Sequence, residues 1–212
     1  MILYLHGFRS SPTSFKARMM ADAMAERGLA ADWACPQLPA SPREAAELAL
    51  DIARRQLARA TDPLALTVVG SSLGGFYATW LAEQLGCKAV LLNPAVEAAR
   101  DLATQVGEHR MYHSDAPFVF LPAYVDELAA LHVPRITRPD RYFLVAATGD
   151  EVLDWQEMRD RYAGCRQRIV QGSDHGLSDF ATWLPEVLDF ALGPQPDGPR
   201  SVSYTHLRAH ET

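Results

Sequence analysis

The stretch Val68-Val69-Gly70-Ser71-Ser72-Leu73-Gly74-Gly75 constrains this chain more than any other. An apolar strand over 64–69 runs into Gly-x-Ser-x-Gly and straight on into a helix over 75–85. The turn is so sharp that Ser72 must adopt a strained backbone conformation. Gly70 and Gly74 fall where a Cβ would strike the neighbouring strand or helix. The strain lifts Ser72 Oγ clear of the sheet edge and turns the Leu73 N–H toward the same space, where it can stabilise an oxyanion. The alternative is a glycine-rich turn cradling a phosphate at a helix N-terminus. No P-loop lysine follows, however, and no second glycine fingerprint appears.

The 212 residues suit one domain with a full core, and 48% of them are apolar. The formal charge of −6 comes with mixed signs and no long basic run, which argues against nucleic-acid or polybasic membrane partners. No apolar run is long enough to span a bilayer, so no stable membrane insertion is expected. The strand over 2–5 opens without a basic n-region, so no secretory leader is expected. Cys35, Cys87 and Cys165 are odd in number and unpaired in spacing, as in a reduced, cytosolic protein. No Cys/His cluster has metal-ligand spacing. Residues 194–212 read as a linker followed by translated read-through of a sequencing-library adapter, His206 and His210 included. The domain is therefore placed at 1–193, and the reading implies a natural C-terminus replaced by that tail.

Strands and helices alternate along the chain. A strand over 2–6 ends at His6-Gly7-Phe8. Ser11-Pro12-Thr13-Ser14 then caps a helix to Arg27, with Phe15, Met19, Met20, Ala23 and Met24 on its inner face and Gly28 as the stop. A short strand over 31–35 follows. Ser41-Pro42-Arg43-Glu44 is a capping box that opens a helix to about 59. After the Ser72 turn and its helix comes a strand over 88–92. Residues 95–140 break the rhythm with helical pieces near 96–105 and 124–131 and a loop over 107–117. They are read as a lid beside the pocket. Tyr112, Phe118, Phe120, Leu121 and Tyr124 either line an apolar acyl site there or simply pack the excursion onto the domain. Alternation resumes with strands over 142–147 and 166–171, a helix over 154–162, and a closing helix over 178–192 interrupted at Pro185. The pattern predicts an α/β domain with a mostly parallel sheet of about six strands and helices on both faces. Its unusual loops, after His6, Ser72, Asp150 and His175, all leave carboxyl ends of strands and converge on one edge.

A serine hydroxyl needs a base, and imidazole titrates closest to neutral pH. His175 follows the last strand in a glycine-flanked loop and is the leading candidate. His6 is the rival, although a His-Gly pair after the first strand more often shapes an oxyanion loop. His109, His113 and His132 fall in the excursion and are read as surface residues. An orienting carboxylate is also required. Asp150 sits in Gly-Asp-x-Val with Val152 as an anchor, Asp154 reads as a helix cap, Glu151 faces solvent, and Asp174 is too close to His175 to curl back. Gly7 permits close backbone approach, so the Phe8 and Leu73 amides form the expected oxyanion hole.

These residues, with Tyr4-Leu5-His6-Gly7-Phe8, Pro36-Gln37-Leu38-Pro39, Tyr77-Ala78-Thr79-Trp80-Leu81, Asn93-Pro94-Ala95-Val96, Thr148-Gly149-Asp150-Glu151-Val152-Leu153-Asp154 and Cys165-Arg166-Gln167, resemble the YqiA-type bacterial esterases. Those are small members of the α/β-hydrolase superfamily, which shares the chain order Ser, Asp, His. The resemblance runs from Ile2 to about Leu192 and is weakest over 100–140. It implies a compact α/β-hydrolase fold and esterase or acyl-CoA thioesterase activity on a small-molecule acyl substrate. Ser72, Asp150 and His175 would form the triad of a cytoplasmic protein that uses no cofactor. Oligomeric state is left open.

Overall fold

The structure is a computed structural model, and it describes residues 1–112 and 114–193. Expectations for His113 and for 194–212 lie outside the described residues. Six parallel strands form one sheet in the order β2-β1-β3-β4-β7-β8. They are β1 (Ile2–Leu5), β2 (Trp33–Ala34), β3 (Thr67–Ser71), β4 (Lys88–Leu92), β7 (Tyr142–Ala147) and β8 (Arg166–Val170). β5 (Gly107–Arg110) and β6 (Pro117–Phe120) form a separate antiparallel hairpin. The helices are α1 (Phe15–Glu26), α2 (Pro42–Leu57), α3 (Leu73–Leu85), α4 (Ala98–Leu102), α5 (Pro122–Leu131), α6 (Trp155–Arg161) and α7 (Phe180–Leu192).

Strand side chains alternate between the two faces of a sheet, and here both faces are covered. Leu3, Leu5, Val68, Leu91, Leu144 and Ala146 belong to one buried cluster with residues of α2, α3 and α6. Ile2, Tyr4, Val69, Val90, Leu92, Phe143 and Val145 belong to a second with residues of α1 and α7. β1 has β2 on one side and β3 on the other, so the chain reverses its direction of travel across the sheet there. The crevice outside the carboxyl ends of β1 and β3 is where such sheets hold ligands.

Several elements differ from the sequence pattern. The expected strand over 31–35 is reduced to Trp33–Ala34 after a 3₁₀ turn. The stretch 107–117, expected as a loop, instead opens a hairpin in which Gly107–Arg110 pairs with Pro117–Phe120. α7 runs through Pro185 without a break; the proline costs it one backbone hydrogen bond, and the buried Val187, Leu188 and Ala191 hold the helix to the sheet. In α1 the buried face carries Lys16 rather than Phe15, which is exposed. The Ser41 Oγ accepts from the Glu44 N–H as a cap should, but the carboxylate bonded to that end of α2 is the remote Glu127 of α5.

Candidate active site

The Ser72 turn is built as the glycines demand. A Cβ on Gly70 would lie 2.1 Å from the Gly74 carbonyl oxygen, and one on Gly74 would lie 2.0 Å from that of Leu5. Only glycine lets β1, β3 and α3 approach so closely. Ser72 itself sits at φ 55°, ψ −121°, a strained conformation for a residue with a side chain. Its N–H donates to Leu92 O at 3.0 Å, and its own carbonyl accepts from Gly75 and Ala95. The serine is therefore held from both neighbouring elements.

His175 Nε2 lies 3.0 Å from Ser72 Oγ, and His175 Nδ1 lies 2.8 Å from Asp150 Oδ2 and 3.0 Å from Oδ1. The Asp150 side chain is fully buried and that of His175 is 20% exposed. A buried carboxylate must have its lone pairs satisfied. Asp150 Oδ1 accepts from the backbone N–H groups of Val152 and Leu153, both at 2.8 Å. Val152 thus anchors the loop through its backbone, while its side chain is exposed and lines the cavity. Asp154 caps α6 by accepting from the Gln156 N–H, and Asp174 accepts from the Ser178 N–H. Glu151 is solvent-exposed as expected, but its carboxylate also accepts the His175 N–H at 2.9 Å.

His6 is buried and its ring is engaged elsewhere. Its Nε2 accepts from the Leu38 N–H at 3.0 Å, which assigns the proton to Nδ1, and Nδ1 donates to Gly7 O at 3.0 Å. Because the peptide is planar and trans, the Phe8 N–H points away from that carbonyl and so away from His6. Ser72, Gly7, Phe8, Leu73 and His175 all line one cavity of about 730 Å³. Tyr112 also lines it; the residue is 64% exposed, and the Arg9 guanidinium lies 4.5 Å from its ring centre. Phe118, Phe120 and Tyr124 do not reach this cavity. Phe118 and Phe120 stand edge-on to the Phe8 ring at 5.1 and 5.3 Å, and Tyr124 packs on Phe120. Of the two readings of these aromatics, packing the excursion onto the domain fits all three.

The remaining wall is largely apolar, with Leu102, Leu153 and Ala95 prominent, but it includes two groups that the sequence pattern did not mark. Lys16 donates to the Gly176 carbonyl; burial pushes its ammonium down to about 8, against the opposing pull of Asp174 and Asp150. Burial raises the Asp101 carboxyl, with Arg100 at 2.8 Å countering it. Among the described residues no cluster of three or more His, Cys, Asp or Glu side chains could hold a metal ion, and no helix is long and apolar enough to cross a membrane.

A parallel sheet reversing at β1/β3, with a serine on a strained turn, is the α/β-hydrolase fold, and solved structures of that fold align along most of this chain. A hydrolase candidate from Agrobacterium vitis S4 matches with a TM-score of 0.69 and 19% identity over 90% of this chain and 87% of that one. A metagenome-derived lipolytic enzyme matches with a TM-score of 0.66 and 18% identity over 90% and 92%. The monoacylglycerol lipase of Paleococcus ferrophilus matches with a TM-score of 0.62 and 15% identity over 90% and 93%. Within that class the chain belongs to UPF0227, described as an uncharacterised protein family, whose profile matches residues 1–192. This is the YqiA-like family that the motifs resemble.

Proposed function

We propose that the protein is a serine hydrolase that cleaves carboxylic esters or acyl-CoA thioesters through an acyl-enzyme. The observation that carries this reading is the unbroken chain from Ser72 Oγ through the His175 ring to the buried Asp150 carboxylate. His175 Nε2 takes the Ser72 proton as Oγ attacks the carbonyl carbon. The Phe8 and Leu73 amides receive the negative charge that develops on the carbonyl oxygen. The C–O or C–S bond then breaks, and His175 returns the proton to the departing alcohol or thiol. In the second half, His175 deprotonates a water that attacks the acyl-enzyme, and Ser72 leaves with the proton restored. Asp150 holds the imidazole in the required tautomer and stabilises its charged form. No step draws on a cofactor.

The apolar wall suits an acyl chain, and a cavity of this volume suits a substrate of modest size. A catalytically silent fold that binds an acyl ligand or a protein would not need three groups in hydrogen-bonding register, so the geometry favours the enzyme. The test is a fluorophosphonate applied to wild type and Ser72→Ala, read by intact mass. One adduct is expected on wild type and none on the variant, followed by ester or thioester turnover that falls about 10⁶-fold in Ser72→Ala. Unchanged turnover in the purified variant overturns the assignment.

A further inference from the structure

The loop that carries His175 is held less by backbone pairing than by side chains from distant elements. Gly172, Ser173 and Leu177 all have positive φ, at 71°, 60° and 52°, so the chain here is bent repeatedly into a sparsely populated region. Such a path persists only where the surroundings fix it. Asn93 is central among the groups that do so. It directly follows β4, is fully buried, and itself sits at φ 43°, a conformation asparagine tolerates better than most residues. Its Oδ1 accepts from the Ala147 N–H at 2.8 Å, at the end of the strand that leads to Asp150. Its Nδ2 donates to the carbonyls of Asp174 and His175, both at 3.0 Å. One carboxamide thus uses both donors and its acceptor to tie the acid strand to the histidine backbone. The Asn93 N–H donates to Val145, and the preceding residue, Leu92, accepts the Ser72 N–H. Glu151 takes the His175 N–H and Lys16 the Gly176 carbonyl, completing the brace.

We propose that Asn93 is a positioning residue for His175, setting the registry that brings Nε2 to Ser72 Oγ without touching substrate itself. The proposal rests on the serine-hydrolase reading above. Asn93→Ala removes all three bonds. Asn93→Asp keeps the shape and the Ala147 acceptor but turns two donors into an oxygen facing two carbonyls. Displacement of a base by about 1 Å costs on the order of 10²-fold in rate.

The experiment measures the fluorophosphonate inactivation rate and steady-state kcat and KM for wild type and both variants, with thermal melting to confirm folding at the assay temperature. The expected result is an inactivation rate and kcat lowered about 10²-fold or more, with KM within about twofold. Asn93→Asp should recover part of its rate relative to wild type as pH falls, because a protonated carboxyl regains one donor. If Asn93→Ala fails to fold, Asn93→Asp carries the test alone. A folded variant labelled within about threefold of the wild-type rate overturns the Asn93 role and leaves the hydrolase intact. Wild type that forms no adduct overturns the hydrolase reading, and this inference with it.

Discussion

Asp150 carries more of the site than its single ion pair suggests. One oxygen accepts from two backbone amides while both face the imidazole, so the carboxylate shapes its own loop as well as the ring. Asn in its place would set an amide against those donors or against Nδ1, favouring the wrong imidazole tautomer. Asp150→Asn is expected to lower kcat about 10⁴-fold with KM nearly unchanged, as steady-state kinetics on a good ester would show. At this scale the sequence marks candidates by residue types placed after strands, and Ser72, Asp150 and His175, which it marks, lie within hydrogen-bonding distance of one another in the order Ser–His–Asp. Asn93, Lys16 and Glu151 carry no such local signal. Their partners lie 81, 160 and 24 residues away, and only the folded sheet brings them together.

Among elements, the regular strands were legible because they are apolar and bounded by turn residues; β4 and β7 match their expected limits. The hairpin was not. Gly107-Glu108-His109-Arg110 has no apolar alternation, and its pairing with β6 is stabilised by long-range contact with Phe8. Arg9 Nε donates to the Arg110 carbonyl and the Tyr112 N–H to that of Arg9, so the hairpin and the loop after β1 are also joined by one side-chain and one backbone bond. Within the excursion read as a lid, the hairpin thus packs against Phe8, while Leu102, Gln105 and Tyr112 line the cavity. Glu127 secures the far end of the excursion, taking the Ser41 hydroxyl at 2.7 Å and the Arg43 N–H at 3.0 Å. A carboxylate there satisfies free amides and complements the helix dipole. Glu127→Ala should cost about 1–2 kcal/mol, read by urea denaturation, and Glu127→Gln should cost less.

For the molecule as a whole, two apolar layers clasp one sheet, and the least expected occupant of that interior is the Lys16 ammonium. Its folded value of about 8 lies below the ordinary lysine range because burial disfavours the charge. The unfolded chain then binds more protons between about pH 8 and 10.5, so this group's contribution to stability rises with pH across that window. Comparison with Lys16→Met isolates it: the melting temperature of wild type should gain on that of the variant from pH 8 to pH 10. A constant difference would sink the idea. The three cysteines titrate in the opposite sense, since burial pushes Cys35 and Cys87 up to about 12 and Cys165 up to about 11, but they contribute equally to both proteins.

The 103 residues that separate Ser72 from His175 also set an order of events during synthesis. At roughly 5–20 residues per second, a ribosome makes Ser72 about 5–20 s before His175, the base of the proposed mechanism. On the proposed mechanism, the growing chain carries an ordinary alcohol throughout that interval, and reactivity arrives only when β8 and the loop beyond it close against the finished sheet.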